Sequence, residues 1–213
     1  MKIGMIQASS QSDKNSILEN SVNMAVRGKE HEVINFGVFG EEKRTYSYVQ
    51  IALCISLLIE SKAIDFVVTG CSSGQGMMLA CNSLPGILCG YIENPSDAYL
   101  FGRINDGNVV SYPLGLNFGW AGELNLQSTM NALFEEPFGI GYPVEDADRK
   151  KEDTKLIKHI NSLSKKSLID VLPELDKAFV RAALSYDCVY SYIMEHGKDI
   201  NLKRMMESMR DVQ

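Results

Sequence analysis

The sequence predicts an α/β fold in which helices cover both faces of a five-stranded parallel sheet, with an α-helical extension at the C-terminus. Two observations carry this prediction. Apolar runs alternate with helix-like stretches over roughly the first 140 residues, which is the pattern of repeated β-α units. After Pro143 the composition changes and strand-like alternation disappears.

Five short apolar runs have the length and composition of strands. The run IDFVVT is continuous and rich in β-branched residues, which is typical of a strand buried on both faces. The predicted strands are residues 2–7, 32–36, 64–69, 87–92 and 108–112.

Helices are predicted between these strands from capping residues and from stretches without breakers. Ser12 and Asp13 are candidate caps of the first helix, and Gly28 lies where its C-cap is expected. Pro95 suits the first turn of a later helix, because no backbone N–H has to be satisfied there. Beyond the first helix, the predicted helices of this region are residues 49–59, 75–82, 95–104 and 122–134.

The last third of the sequence predicts helices alone. The segment VEDADRKKEDTK is highly charged and has no hydrophobic period, so it is interpreted as a linker or the start of an exposed helix. Residues 174–195 place apolar side chains on one helical stripe, and residues 199–209 form a short final helix. We therefore divide the chain into an α/β domain, residues 1–143, and a helical C-terminal extension, residues 144–213.

Composition narrows the functional class. The formal net charge is −6 and no Lys/Arg cluster stands out, which argues against a nucleic-acid groove or a basic membrane face. No apolar run reaches the ~18 residues of a membrane helix, and the N-terminus turns polar too early for a secretory signal. The five cysteines include no C-x-x-C pair, which is typical of reduced thiols rather than of a disulfide framework. The three histidines do not have the spacing of zinc ligands. We expect a cytoplasmic protein without a tightly held structural metal.

Ligands of parallel sheets bind at the carboxyl ends of the strands, near the point where the strand order reverses. This rule predicts that the loops at residues 8–11, 71–76 and around Asn94 lie on one edge of the sheet.

The sharpest motif is GCSSGQG, residues 70–76, between a strong predicted strand and a helix. Its glycines allow a tight turn, and the helix N-terminus offers free N–H groups and a partial positive charge. The loop suits a phosphate or a developing oxyanion, and a thiolate of Cys71 there can act as a general base or a nucleophile. The alternative is a tight connection with a small buried thiol. The motif lacks the G-K-[ST] of a P-loop and the third glycine of a dinucleotide fingerprint.

A second motif, RINDGN at residues 103–108, precedes the last predicted strand. Asn and Asp favour turns by bonding their own backbone, so a helix-ending turn is one interpretation. In the other, Asn105 lends its side-chain amide to a bound oxygen.

The order of these motifs resembles the ribose-5-phosphate isomerase type B / galactose-6-phosphate isomerase family. That family carries a C/S-G-T-G-x-G loop, then A-x-N-K-x-x-G-I-R-A, then R-x-H-N-D/N-x-N-V, with similar spacing. The segment from Phe36 and Gly37 to Tyr46 and Tyr48 also resembles the family's G-T…E…D-Y-P-x-Y stretch. The resemblance covers residues 1–142, and its blocks here are CSSGQG at 71–76, ACNSLPGI at 80–87 and RINDGNV at 103–109.

The resemblance implies a Rossmann-like domain that forms homodimers or homotetramers with the site at the subunit interface. It implies aldose–ketose isomerisation of a sugar phosphate, of the pentose 5-phosphate or hexose 6-phosphate class, through a cis-enediolate and without metal or other cofactor. Cys71 would be the base, and backbone amides of residues 73–76 together with Asn105 would hold the enediolate oxygen. The implied catalytic residues are Cys71, Ser73, Gly74, Gly76 and Asn105. The expected substrate-binding residues are Ser9, Ser10, Tyr48, Ser72, Gln75, Arg103 and Arg149.

The sequence also departs from this family. The family's first loop reads D-H-A-G, whereas residues 7–11 read QASSQ, whose hydroxyls still suit an anion. Ile104 stands where the family has its ring-opening His, unless Arg103 takes over by a one-residue shift. The family's phosphate-binding arginines have no match near residues 141–143. Either the substrate differs from ribose 5-phosphate or catalysis is rearranged.

Two other functions compete with the isomerase. One is a sugar-phosphate-binding or sensor protein that keeps the fold without the chemistry. The other, a flavin or nucleotide carrier, is disfavoured because the aromatic and acidic partners that such cofactors need are not evident.

Overall fold

The structure is a computed structural model that describes residues 1–211. Five parallel strands form one sheet in the order β2-β1-β3-β5-β4. The strands are β1 (Lys2–Met5), β2 (Glu32–Asn35), β3 (Phe66–Cys71), β4 (Cys89–Tyr91) and β5 (Val109–Pro113). Because β2 and β3 flank β1 on opposite sides, the strand order reverses between β1 and β3.

Helices cover both faces of the sheet. One face carries α1 (Asn15–Ala25), α4 (Pro95–Leu100) and α5 (Gly122–Phe134). The other face carries α2 (Tyr48–Glu60) and α3 (Gln75–Asn82). The predicted three-layer α/β fold with a five-stranded parallel sheet is confirmed.

The middle of α2 is apolar around its whole circumference, and residues 51–58 are all buried. A helix without a polar face has to be covered on every side. Here the sheet covers one side and C-terminal helices cover the other.

Between residue 143 and residue 211 the structure has five α-helices: α6 (Ala147–Ser164), α7 (Leu168–Val171), α8 (Lys177–Leu184), α9 (Asp187–His196) and α10 (Ile200–Asp211). Helices α7 to α10 share one hydrophobic core with α2, to which Leu168, Val180, Ile193 and Leu202 contribute. Helix α6 is different, because Thr154 is its one buried residue. The division of the chain at residue 143 stays a prediction.

Two predictions about the helices were wrong. The helix predicted over residues 174–195 is interrupted between α8 and α9, because Tyr186 leaves the helical conformation and donates its hydroxyl to the Phe36 carbonyl. The helix predicted over 95–104 agrees with the structure within one residue, since α4 continues directly into a π-helical turn, Phe101–Asn105. Ser12 and Asp13 do not cap α1, because they lie inside a 3-10 helix, Ser9–Lys14.

Along residues 1–211, no helix combines the length and the apolar composition that crossing a membrane requires.

Candidate active site

The Gly-rich loop joins β3 to α3. Cys71 is the last residue of β3 and is 8% exposed, and Gly74 is the N-cap of α3. Gly74 has φ +73°, and a Cβ there would lie 2.8 Å from the Tyr91 ring and 2.9 Å from the Pro113 nitrogen. Only glycine therefore fits this turn without strain. The Ser111 hydroxyl donates to the Gly74 carbonyl at 2.6 Å and fixes the turn from β5.

The loop after β1 meets the Gly-rich loop. The side-chain amide of Gln11 donates to the Ser72 hydroxyl at 2.8 Å, and the hydroxyl oxygens of Ser10 and Ser72 lie 3.5 Å apart. The backbone N–H of Ala8 donates to the Gly70 carbonyl at 2.9 Å. The two loops therefore form one polar surface at the point where the strand order reverses.

Two tyrosines flank this surface. The Tyr48 ring lies beside Gly76, 3.6 Å from where a Cβ would be, and Tyr48 is partly exposed. The Tyr91 ring packs against Gly74, and its hydroxyl donates to Glu93 at 3.1 Å. Burial, with the Glu93 carboxylate, raises the pKa of Tyr91 to about 12, so its hydroxyl stays protonated near neutral pH.

Most of the sequence-predicted site residues lie at this edge of the sheet. Ser9 belongs to the same loop as Ser10, and its hydroxyl oxygen accepts the Tyr46 N–H at 2.8 Å. The residues that the structure brings to this edge are Ser9, Ser10, Tyr48, Cys71, Ser72, Ser73, Gly74, Gln75 and Gly76.

Asn105 lies at the opposite end of the sheet. Val67 pairs with Val109 and Cys71 pairs with Pro113, so the two ends of this strand pair are four residues apart, about 13 Å. Asn105 precedes Val109 by a further four residues and ends the π-helical turn. Within one chain, its side chain is therefore too distant for a small substrate at Cys71.

The two predicted arginines also lie away from the Gly-rich loop. Arg103 is fully buried in the π-helical turn and donates to the Leu133 carbonyl at 2.9 Å. Arg149 lies on α6 and pairs with Asp146 at 3.1 Å and Asp153 at 3.2 Å. The structure does not bring either guanidinium to Cys71.

Two residues near the site, Gln11 and Tyr91, are not among the site residues predicted from the sequence. The sequence predicts Gln11 only as part of an anion-binding loop, yet its side chain links the two loops. Tyr91 ends β4, which is separated from β3 by β5, and its contact with Gly74 depends on this strand order. Its position at the carboxyl end of a predicted strand was the one available signal.

The surface combines a thiol, serine hydroxyls, an amide and the N-terminus of α3. Such a helix end stabilises negative charge that develops on a nearby oxygen, and a thiol beside it can carry a proton. The hydroxyls and the amide suit a small polyhydroxylated ligand. Among residues 1–211, no group of three or more His, Cys, Asp or Glu side chains is placed to hold a metal ion.

Solved structures of sugar isomerases resemble this chain over its whole length. A 4-deoxy-L-threo-5-hexosulose-uronate ketol-isomerase, solved with a tartrate, is 38% identical, with all of both chains covered and a TM-score of 0.94. A ribose-5-phosphate isomerase from Vibrio parahaemolyticus is 33% identical, with 98% of this chain and 99% of that chain covered and a TM-score of 0.92.

More distant relatives share the fold. The type B ribose 5-phosphate isomerase from Trypanosoma brucei is 21% identical, with 74% of this chain and 97% of that chain covered and a TM-score of 0.61. No curated protein sequence matches the chain. The sequence profile of the family described as Ribose/Galactose Isomerase matches residues 10–123. The resemblance seen in the motifs is thus confirmed, and the chain belongs to the ribose/galactose isomerase family.

Proposed function

We propose that this isomerase is a ketol-isomerase that interconverts the aldose and ketose forms of an acidic sugar, with Cys71 as the base. The observation that carries the proposal is the position of Cys71, which ends β3 directly before the N-terminus of α3. Serine hydroxyls and the Gln11 amide lie on the same surface.

The proposed reaction moves one proton between neighbouring carbons. The Cys71 thiolate takes the proton from C2 of the open-chain aldose, and the electrons of that C–H bond form the enediolate. Backbone N–H groups of residues 73–76 stabilise its oxygen, because the helix N-terminus favours negative charge there. The proton of the C2 hydroxyl passes to O1, and the Cys71 thiol returns its proton to C1 while the C2–O double bond forms, which gives the ketose. Tyr48, Ser9, Ser10, Ser72 and Gln75 are proposed to bind the substrate hydroxyls.

The leading candidate for the acidic group is a carboxylate. The 38% identical relative that is covered over its whole length is named for a uronate, which carries a carboxylate and no phosphate.

A sugar phosphate of the pentose 5-phosphate or hexose 6-phosphate class is the second candidate. It is the substrate class expected from the motifs, and the 33% identical relative is named a ribose-5-phosphate isomerase. A binding or sensor protein with this fold remains the alternative to an enzyme.

Turnover of matched substrates tests these candidates. The purified chain is incubated with 4-deoxy-L-threo-5-hexosulose uronate, ribose 5-phosphate and galactose 6-phosphate, and the products are followed by proton NMR with and without EDTA. We expect fastest turnover of the uronate and no effect of EDTA. Thermal stabilisation by a sugar without any turnover would instead support the binding protein.

We also propose that the site is completed by a second copy of the chain in a homodimer or a homotetramer. Asn105 is exposed and lines a groove of about 470 Å³ along the edge strand β4, together with Tyr91, Leu100 and Ile157. Tyr91 also contacts Gly74, so this groove adjoins the Gly-rich loop. A second copy seated here can bring its own Asn105 to Cys71.

Helix α6 supplies the apolar part of this surface. Its exposed apolar residues, which we call the α6 stripe, are Leu156, Ile157, Ile160 and Leu163. An apolar helix face of this kind is typical of a subunit interface.

Mixed dimers test the shared site. Cys71→Ala and Asn105→Ala chains, each expected to be inactive, are unfolded, mixed in equal amounts and refolded together. If each site takes Cys71 from one chain and Asn105 from the other, about a quarter of the wild-type activity returns. No return of activity on mixing would contradict the shared site.

A further inference from the structure

The interruption between α8 and α9 places a buried tyrosine beside the segment that follows β2. Tyr186 is 2% exposed, and its hydroxyl donates to the Phe36 carbonyl. Its ring lies 4.6 Å from the Tyr46 ring, centroid to centroid. Burial raises the pKa of Tyr186, so the hydroxyl remains a hydrogen-bond donor across the neutral range.

Residues 36–46 in turn hold the loop after β1. The Tyr46 N–H donates to the Ser9 hydroxyl at 2.8 Å, and the Gln7 N–H donates to the Gly37 carbonyl at 3.0 Å. The Gln7 side chain donates to the Val38 carbonyl at 2.7 Å. Ser9 directly precedes Ser10 and Gln11, which contact Ser72 beside Cys71.

A second contact ties the same interruption to residues 36–46. Arg44 donates to the Ser185 hydroxyl, and its guanidinium lies 5.3 Å from the Tyr46 ring centroid. Gly37 has φ +91°, and a Cβ there would collide with the Tyr186 hydroxyl. The C-terminal helices therefore contact the segment closely, at both of its ends.

We propose that Tyr186 is a positioning residue for the active-site loop: it fixes residues 36–46, and through Tyr46 and Ser9 it sets the position of Ser9, Ser10 and Gln11. This proposal rests on the proposed function for its effect on substrate binding. It assigns the C-terminal helices a role in the reaction, because they supply the group that holds a loop of the site.

The test compares the deletion of two tyrosine hydroxyls, each on a side chain that contacts Phe36. Tyr186→Phe removes the donor to Phe36 and keeps the ring. Tyr192→Phe is the matched control, because Tyr192 lies on α9, which directly follows Tyr186, and its ring packs on the Phe36 ring with centroids 5.1 Å apart. Its hydroxyl is buried and has no hydrogen-bond partner within residues 1–211.

Hydrogen–deuterium exchange of residues 36–48 and 7–12 gives the first readout, and it needs no substrate. We expect exchange of the Tyr46 amide to be faster by about tenfold in Tyr186→Phe and unchanged in Tyr192→Phe, as the loss of one hydrogen bond implies. Unchanged exchange in Tyr186→Phe overturns the proposal, whether or not the chain turns over any sugar.

Steady-state kinetics give the second readout. We expect KM of Tyr186→Phe to rise about tenfold with a smaller change in kcat, because the variant loosens the loop that binds the substrate and leaves Cys71 in place. Faster exchange with unchanged KM overturns the role in substrate binding. An inactive wild-type chain contradicts only the proposed function, and the exchange result still decides whether Tyr186 positions the loop.

Discussion

The side-chain amide of Gln11 donates to the Ser72 hydroxyl across 2.8 Å, and this bond joins the loop after β1 to the loop after β3. These are the loops that flank the reversal of strand order. Ligands bind at such points because two neighbouring connections leave the sheet in opposite directions and open a crevice. In this chain Cys71 ends β3 at this point, and Ser10, Gln11 and Ser72 contact one another beside it.

Replacing Gly74 should disrupt the Gly-rich loop. In Gly74→Ala the alanine must adopt a positive φ, and its Cβ collides with the Tyr91 ring and the Pro113 nitrogen. We therefore expect the unfolding free energy to fall by about 1–3 kcal/mol and kcat to fall at least tenfold. Gly119→Ala is the control, since a Cβ at Gly119 meets nothing within 4 Å. Urea unfolding and steady-state kinetics measure both effects, and a fully active Gly74→Ala would contradict the role of this turn.

Arg103 is expected to be dispensable for substrate binding. Its guanidinium is buried, its pKa is lowered by that burial, and its Nε and Nη1 atoms have no hydrogen-bond partner within residues 1–211. Arg103→Met should therefore leave KM unchanged and leave the unfolding free energy unchanged or higher by about 1 kcal/mol. A raised KM in this variant would show that Arg103 reaches the substrate after all.

Glu60 should make the stability of the chain depend on pH. Burial, with the nearby Asp199 carboxylate, raises the pKa of Glu60. A carboxyl whose pKa is raised on folding favours the folded state below its unfolded pKa of about 4.3, and this contribution is lost as the pH rises through the folded value. Glu60→Gln should therefore be more stable than wild type at neutral pH, with the gain disappearing near pH 4.

Urea unfolding between about pH 4 and 8 measures this difference. Glu207→Gln makes the same charge change on an exposed side chain of α10 and serves as the control. A stability gain in Glu60→Gln that is the same at every pH would contradict the assignment.

The α6 stripe should be needed for self-association. Ile160→Asp puts a charge into the proposed interface, so we expect the chain to become monomeric and to lose most of its activity. Met24→Asp is a matched control, because Ile160 and Met24 are both 53% exposed and Met24 lies on α1. Light scattering during size-exclusion chromatography measures the mass. A wild-type chain that is monomeric and active would contradict the shared site.

Elements set by local sequence were predictable. The helices at 75–82 and 122–134 have the predicted bounds, and the strands agree within about two residues, because their apolar runs are short and end at polar or Gly-containing segments. The Gly-rich loop was found for the same reason, since strand, glycines and helix are adjacent along the chain.

Features set by tertiary contacts were not predictable. The interruption at Tyr186 depends on the Phe36 carbonyl, which lies 150 residues earlier in the chain. The separation of Asn105 from Cys71 depends on β5 pairing with β3 in a parallel register, which motif order does not reveal. The absence of a polar face on α2 was a signal that something outside the sheet covers this helix.

The most direct test of the account is deuterium incorporation from deuterated water, followed by proton NMR. Wild type, Cys71→Ser and Cys188→Ser are compared with 4-deoxy-L-threo-5-hexosulose uronate and ribose 5-phosphate; Cys188 is an exposed thiol on α9 and serves as the control. We predict exchange at the carbon-bound proton with wild type and Cys188→Ser, and a rate lower by about 10²–10⁴-fold with Cys71→Ser, the usual contribution of a positioned base. Exchange at the wild-type rate in Cys71→Ser would contradict the assignment of Cys71 as the base.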